Sequence, residues 1–169
     1  TTLFRSSSYG NSKVTSTGAN AGGFVGYFNA SGSITNSRAA GAVSGTSYVG
    51  GFVGLMTYNG GISTSYATGM VNATGDGAGG FLGYSNDTTY TRTLQDFYAT
   101  GAVTGTTNVG GLVGYAARGT FSYGYSTGMV SSTSSAASVG ASFGGVGTGT
   151  TVTGTVPNQV TTYWVIRNN

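Results

Sequence analysis

The sequence predicts an all-β fold, a β-solenoid of about five stacked coils of roughly 28–31 residues, forming one domain over residues 1–169. Three observations predict it. Glycine fills 33 of the 169 positions, where about 7% is usual, and this density opposes helix. Two short motifs recur along the chain at a near-constant spacing. The segments between glycines are rich in Val, Ile, Phe, Tyr and Thr, which suit strands.

Glycine at this level also suits disorder, so the rest of the composition decides. Hydrophobic residues make up 38%, with 12 Tyr, 8 Phe and one Trp, and charged residues only 5%. Disordered chains are poor in aromatics and rich in net charge, the reverse of this one. A single proline excludes collagen and proline-rich linkers. The chain can bury a core.

The first motif is Gly22-Gly23-Phe24-Val25-Gly26-Tyr27. It returns as Gly50-Gly51-Phe52-Val53-Gly54-Leu55, Gly79-Gly80-Phe81-Leu82-Gly83-Tyr84 and Gly110-Gly111-Leu112-Val113-Gly114-Tyr115. A decayed copy is Gly140-Ala141-Ser142-Phe143-Gly144, so the starts lie 28, 29, 31 and 30 residues apart. The second motif is clearest at Ser65-Tyr66-Ala67-Thr68-Gly69-Met70-Val71. Its relatives begin at Ser37, Phe97 and Gly124, with a worn copy from Ser8 and a partial one at Thr162-Tyr163-Trp164.

Together the two motifs resemble the GLUG repeat family over residues 8–144. The copies depart from that pattern in three Phe-for-Leu replacements, the eroded fifth copy and a Thr/Gly-rich tail over 145–169, read as an irregular last coil or cap. The resemblance implies secreted or surface proteins of bacteria or archaea, often large and adhesin-like. It implies no catalytic activity.

In a solenoid, equivalent residues of successive coils stack at about 4.8 Å. Phe24, Phe52, Phe81, Leu112 and Phe143 then form one internal column. Val25, Val53, Leu82 and Val113 alternate with them and point to the opposite face. Val43, Val71, Val103 and Val130 form another column. Tyr9, Tyr66, Tyr98, Tyr125 and Tyr163 form a tyrosine ladder that Arg38 interrupts, and Tyr27, Tyr84 and Tyr115 a second one. Some glycines serve corners of positive φ, and others serve close backbone approach. A coil of about 30 residues is large for a plain three-sided solenoid; the alternatives are a glycine-mediated double-layer coil or a hairpin per repeat.

Function is bounded chiefly by exclusion. The chain has no Cys, His or Glu, and its only acids are Asp76, Asp87 and Asp96. These read as surface turns, because acid–base pairs need two carboxyl groups at a set separation with split pKa values. No catalytic residue, cofactor or metal is expected. Gly75-Asp76-Gly77-Ala78-Gly79-Gly80 matches G-x-G-x-x-G, but a strand-like Phe81-Leu82 follows where the dinucleotide fingerprint needs a helix. Six scattered basic residues give no patch for nucleic acid, and no apolar run approaches the 18 or so residues of a membrane span.

Asn29, Asn72 and Asn86 head N-glycosylation sequons. A start at Thr1 without a signal-peptide pattern reads as a processed chain or an excised fragment. The uncharged Ser/Thr/Asn surface favours a secreted or cell-surface setting. The leading functional reading is a non-catalytic structural or adhesive protein, self-associating end to end into a filament or forming part of an adhesin. The alternative is a carbohydrate-binding module that uses its tyrosine ladder. Surface glycans or a cell-surface receptor are the other partners considered. Both ends fall at the same phase of the repeat, near Tyr9 and Tyr163, and open strand edges recruit further chains.

Overall fold

The computed structural model describes residues 8–86, 89, 91–135, 138–153 and 165–167. Tyr163 and Asp87 lie outside them. Among the described residues there is no helix, and the strands pair in parallel along one axis as a β-solenoid of about five turns.

Each coil has four sides. In the third coil these are Gly61–Ala67, Val71–Ala73, Asp76–Gly79 and Leu82–Ser85. On the first side, Gly61–Ala67 pairs with Ser33–Thr35 and Arg38–Ala39 of the coil before and with Thr93–Ala99 of the coil after. The second side stacks Val14–Thr15, Val43–Gly45, Val71–Ala73, Val103–Gly105 and Val130–Ser132, then a sixth strand, Val165–Arg167. The third side runs from Ala21–Gly22 to Val139–Gly140. The fourth runs from Val25–Asn29 through Val53–Thr57 and Leu82–Ser85 to the long strands Val113–Ser126 and Phe143–Thr153, which continue into the first side.

Two apolar cores fill the coil. The larger lies between the first and fourth sides and holds Phe52, Phe81, Phe97, Leu112, Met56, Ile62, Leu94 and Phe121. Phe24, Phe52 and Phe81 stack with ring centroids 4.7 Å apart. The smaller core sets the column Val43, Val71, Val103 and Val130 against Val49, Ala78 and Val109 of the third side.

A seam of glycines separates the cores. A Cβ on Gly79 would lie 2.7 Å from Gly114 N, and one on Gly83 2.6 Å from Val49 N. Third and fourth sides therefore touch backbone to backbone, which is the glycine-mediated double layer among the three shapes open to the sequence. Only Gly, lacking Cβ, allows this approach.

Two expectations about the columns are corrected. The Phe column continues from Leu112 to Ser142, whose carbonyl accepts from Leu112 N at 2.9 Å. Phe143 is in register with Val113 instead. Val53, Leu82 and Val113 do not face away from the Phe column; they are buried in the same core. The reason is that Phe52 sits in the bend before the strand, and period-two alternation begins only where the strand does.

Positive φ is also carried less by glycine than expected. Among the described residues only Gly77 and Gly119 adopt it, against eight non-glycines. Seven of the eight, all but Tyr58, fall with Gly77 into two repeating positions. Asn20, Tyr48, Gly77 and Asn108 open the third side, and Asn36, Thr64, Asp96 and Tyr123 interrupt the first. The second set makes a bulge that turns Ile62, Ser65 and Ala67 all inward. Asn and Asp tolerate this conformation, whereas Thr64 and the two tyrosines carry strain of about 1–3 kcal/mol each.

Candidate functional site

The strongest candidate is the aromatic ladder on the outer face of the first side. In-register pairing joins Tyr9 to Arg38, Arg38 to Tyr66, Tyr66 to Tyr98 and Tyr98 to Tyr125. Tyr66 and Tyr98 stack at 4.7 Å with planes 5° apart, and Tyr98 and Tyr125 at 5.0 Å and 8°. The parallel register forces this, because each ring inherits the spacing of its strand.

Arg38 does not break the ladder, contrary to the sequence expectation. Its guanidinium lies 3.7 Å over the Tyr9 ring, and its Nη1 donates to Tyr66 Oη at 3.1 Å. A planar cation stacks on an aromatic face much as a ring does. The hydrogen bond to Tyr66 also pushes the Arg38 pKa up. Desolvation, then the neighbouring Tyr66 and Tyr125, raises the Tyr98 phenol.

This packing limits what the ladder can bind. Sugars stack on the open face of a ring, but the inner members cover one another's faces and offer only edges and hydroxyls. Among the described residues the column ends on Tyr9 and Tyr125, both exposed, and only there does no further rung cover a ring face.

The second column continues Tyr27 through Leu55 to Tyr84 and Tyr115. Tyr84 lies 4.8 Å from Tyr115 and 4.5 Å from Tyr48. Burial first, then the charge of Asp76 and the two neighbouring tyrosines, pushes its phenol up to about 12.

The acids do structural work where they are described. Asp76 Oδ1 accepts from Thr107 Oγ1 at 2.9 Å and Asn108 Nδ2 at 2.7 Å, tying the third coil to the fourth. Asp96 is exposed on the first-side bulge and accepts from Gln95 Nε2. No group of three metal-ligating side chains occurs among the described residues. The Gly75–Gly80 stretch carries the strand Asp76–Gly79, followed by the strand Leu82–Ser85. The three sequon asparagines are all exposed. Asn29 ends its strand and accepts from Thr57 Oγ1, Asn72 sits mid-strand between Ser44 and Thr104, and Asn86 follows Leu82–Ser85.

Two features were not read from the sequence. Arg92 is fully buried, its Nη1 donating to the Arg118 carbonyl at 3.3 Å. An apolar cavity of about 290 Å³ opens at the N-terminal end of the larger core, lined by Phe24, Val25, Phe28 and Ile34 among others. It lies behind the outer edges of Val25–Asn29 and Ser33–Thr35, which pair with no other described strand on that side. At the opposite end, Phe143–Thr153 is the last strand of the same columns among the described residues: Phe143 follows Val113, and Val152 follows Phe121.

Comparison with family models, with curated proteins and with solved structures finds no match to this chain.

Proposed function

We propose that this chain is a non-catalytic structural or adhesive protein of the extracellular surface, whose solenoid joins end to end into a filament. The observation that carries the reading is the phase of the two ends. One end offers the edges Val25–Asn29 and Ser33–Thr35 over an apolar cavity. The other ends, among the described residues, on Phe143–Thr153, whose residues belong to the same columns. Adding a second copy by one further step sets its Val25 over Phe143, its Ile34 over Val152 and its Tyr9 over Tyr125. A join of this kind is heterologous and does not close, so it yields a fibre.

The low charge supports the same reading, since like charges stacked a strand spacing apart repel. Cell-surface display rests on the uncharged surface and on the resemblance of the two motifs to GLUG repeats. Glycan binding along the ladder is the weaker reading, because the inner rings cover one another.

Electron microscopy of purified protein across a concentration series tests the proposal. The expected result is long fibres with an axial repeat of about 24 Å, five coils at the strand spacing. Particles that stay monomeric at every concentration, in the wild type and in the open-ended variants described next, refute it.

A further inference from the structure

At the C-terminal end the four sides do not finish together. The first, third and fourth sides end on Phe143–Thr153 and Val139–Gly140, with no further strand among the described residues. The second side alone carries a sixth strand. Val165–Arg167 pairs in parallel with Val130–Ser132, with Val165 on Val130, Ile166 on Ser131 and Arg167 on Ser132.

This strand is not the regular continuation of a coil. In the regular coils, eight residues separate the first-side position from the second-side Val: Thr35 to Val43, Ser63 to Val71, Gln95 to Val103 and Ser122 to Val130. The next member of that first-side column is Thr153, and twelve residues separate it from Val165. The sixth strand thus comes four positions later in the sequence than the repeat requires.

Its position is one that a second copy needs. Within the chain, Val14 and Thr15 pair with Val43 and Ser44, the columns that end on Val130 and Ser131. The step that sets a second copy's Tyr9 over Tyr125, Ala21 over Val139 and Val25 over Phe143 also sets its Val14 over Val130. Three of these places are open among the described residues, and Val165 holds the fourth.

We propose that Val165–Arg167 is a removable cap, a strand of the chain itself that occupies the docking edge for a second copy and restrains end-to-end growth. The inference rests on the filament reading above. Bound, the cap pairs the edge of Val130–Ser132. Released, it leaves that edge in phase with the three that are open among the described residues, ready to receive the next copy. Assembly is then an exchange of one parallel strand, Val165–Arg167, for another, Val14–Thr15.

The full-length chain and three variants test this by sedimentation, read as the concentration above which fibres pellet. Val165→Pro with Ile166→Pro removes both amide donors, so whichever faces Val130–Ser132 is lost. A chain ending at Thr153 removes the strand altogether and guards against a local effect of the prolines. Ser131→Cys with Ile166→Cys locks the cap, because in-register neighbours lie about 4.8 Å apart, within disulfide reach. The expected result is a threshold at least about tenfold lower in the proline and shortened chains. The oxidised cysteine variant should fail to assemble and recover on reduction. Unchanged thresholds across the set, with fibres present, overturn the cap and leave the filament standing. Absence of fibres in every variant, each folded by circular dichroism, overturns both.

Discussion

Replacing Gly83 with Ala tests the seam most sharply. The added methyl would lie 2.6 Å from Gly54 O, 2.6 Å from Val49 N and 2.7 Å from Tyr48 C. All three neighbours are backbone, so no side chain can swing aside. Reaching the 3.4 Å of ordinary contact means parting the third and fourth sides by about 0.8 Å, which also loosens the cores on either flank. Overpacking costs about 1–3 kcal/mol, and the unyielding neighbours place this case at or above the upper end. A loss of about 3 kcal/mol lowers Tm by roughly 6–12 °C in a chain of this length. Gly32→Ala is the matched control. It has nothing within 4 Å and no positive φ, so it should be neutral or stabilising by about 0.4–1 kcal/mol. Thermal melts followed by far-ultraviolet circular dichroism compare the two. Midpoints within about 1 °C of each other would refute the seam as a steric contact.

Phe81→Ala should destabilise by about 3–5 kcal/mol, since the ring is fully buried between Phe52 and Phe97; chemical denaturation reads it, and a loss below about 1 kcal/mol would contradict the described core. Arg38→Ala and Tyr9→Ala should be non-additive in a double-mutant cycle, with a small favourable coupling from the stacked cation and ring; strict additivity would mean the stacked geometry contributes nothing. The Tyr84 phenol, raised from 10.0 to about 12, favours the neutral form in the folded chain. Its contribution to stability is therefore whole below pH 10 and lost as pH rises towards 12. Ultraviolet titration of tyrosinate should show an ionisation near 12 that Tyr84→Phe removes, and that variant should lose less stability over the same interval.

The sequence made the columns legible because a repeat in register is, in a parallel solenoid, a stack in space. Phe24 on Phe52, Val71 on Val103 and Tyr66 on Tyr98 follow from spacing alone. The four-sided coil with two cores was harder to read, because its dividing wall is built from glycines and a missing side chain points nowhere. Phe143 was misplaced by one position: chemical likeness to Phe24 outweighed its alignment with Val113. Residue identity also varies where backbone shape is conserved. Asn20, Tyr48, Gly77 and Asn108 share a left-handed position, yet no common letter marks it, although the two asparagines at matching phase were a usable hint. Elsewhere volumes trade between coils: the column Ser65, Phe97, Gly124 sets a large ring beside an absent side chain, and a Cβ on Gly124 would come 2.8 Å from the Phe97 ring. Arg92 carries no such mark, since nothing in its neighbourhood of sequence distinguishes a buried arginine from a surface one.

The seam also works as a ruler for length. Gly22 and Gly26, Gly50 and Gly54, Gly79 and Gly83, Gly110 and Gly114, and Gly140 and Gly144 keep one spacing throughout. From Gly26 to Gly50, Gly54 to Gly79, Gly83 to Gly110 and Gly114 to Gly140 the interval drifts over 24, 25, 27 and 26 residues. Coil length thus varies around the rest of the coil and not at the seam, where one extra residue would put a side chain between two backbones. Each coil carries its own pair of glycines and shares none with its neighbours. Whole coils can then be duplicated or deleted with the wall intact, so a lineage of such proteins is free to change in length by one coil, about 4.8 Å of axis, at a time.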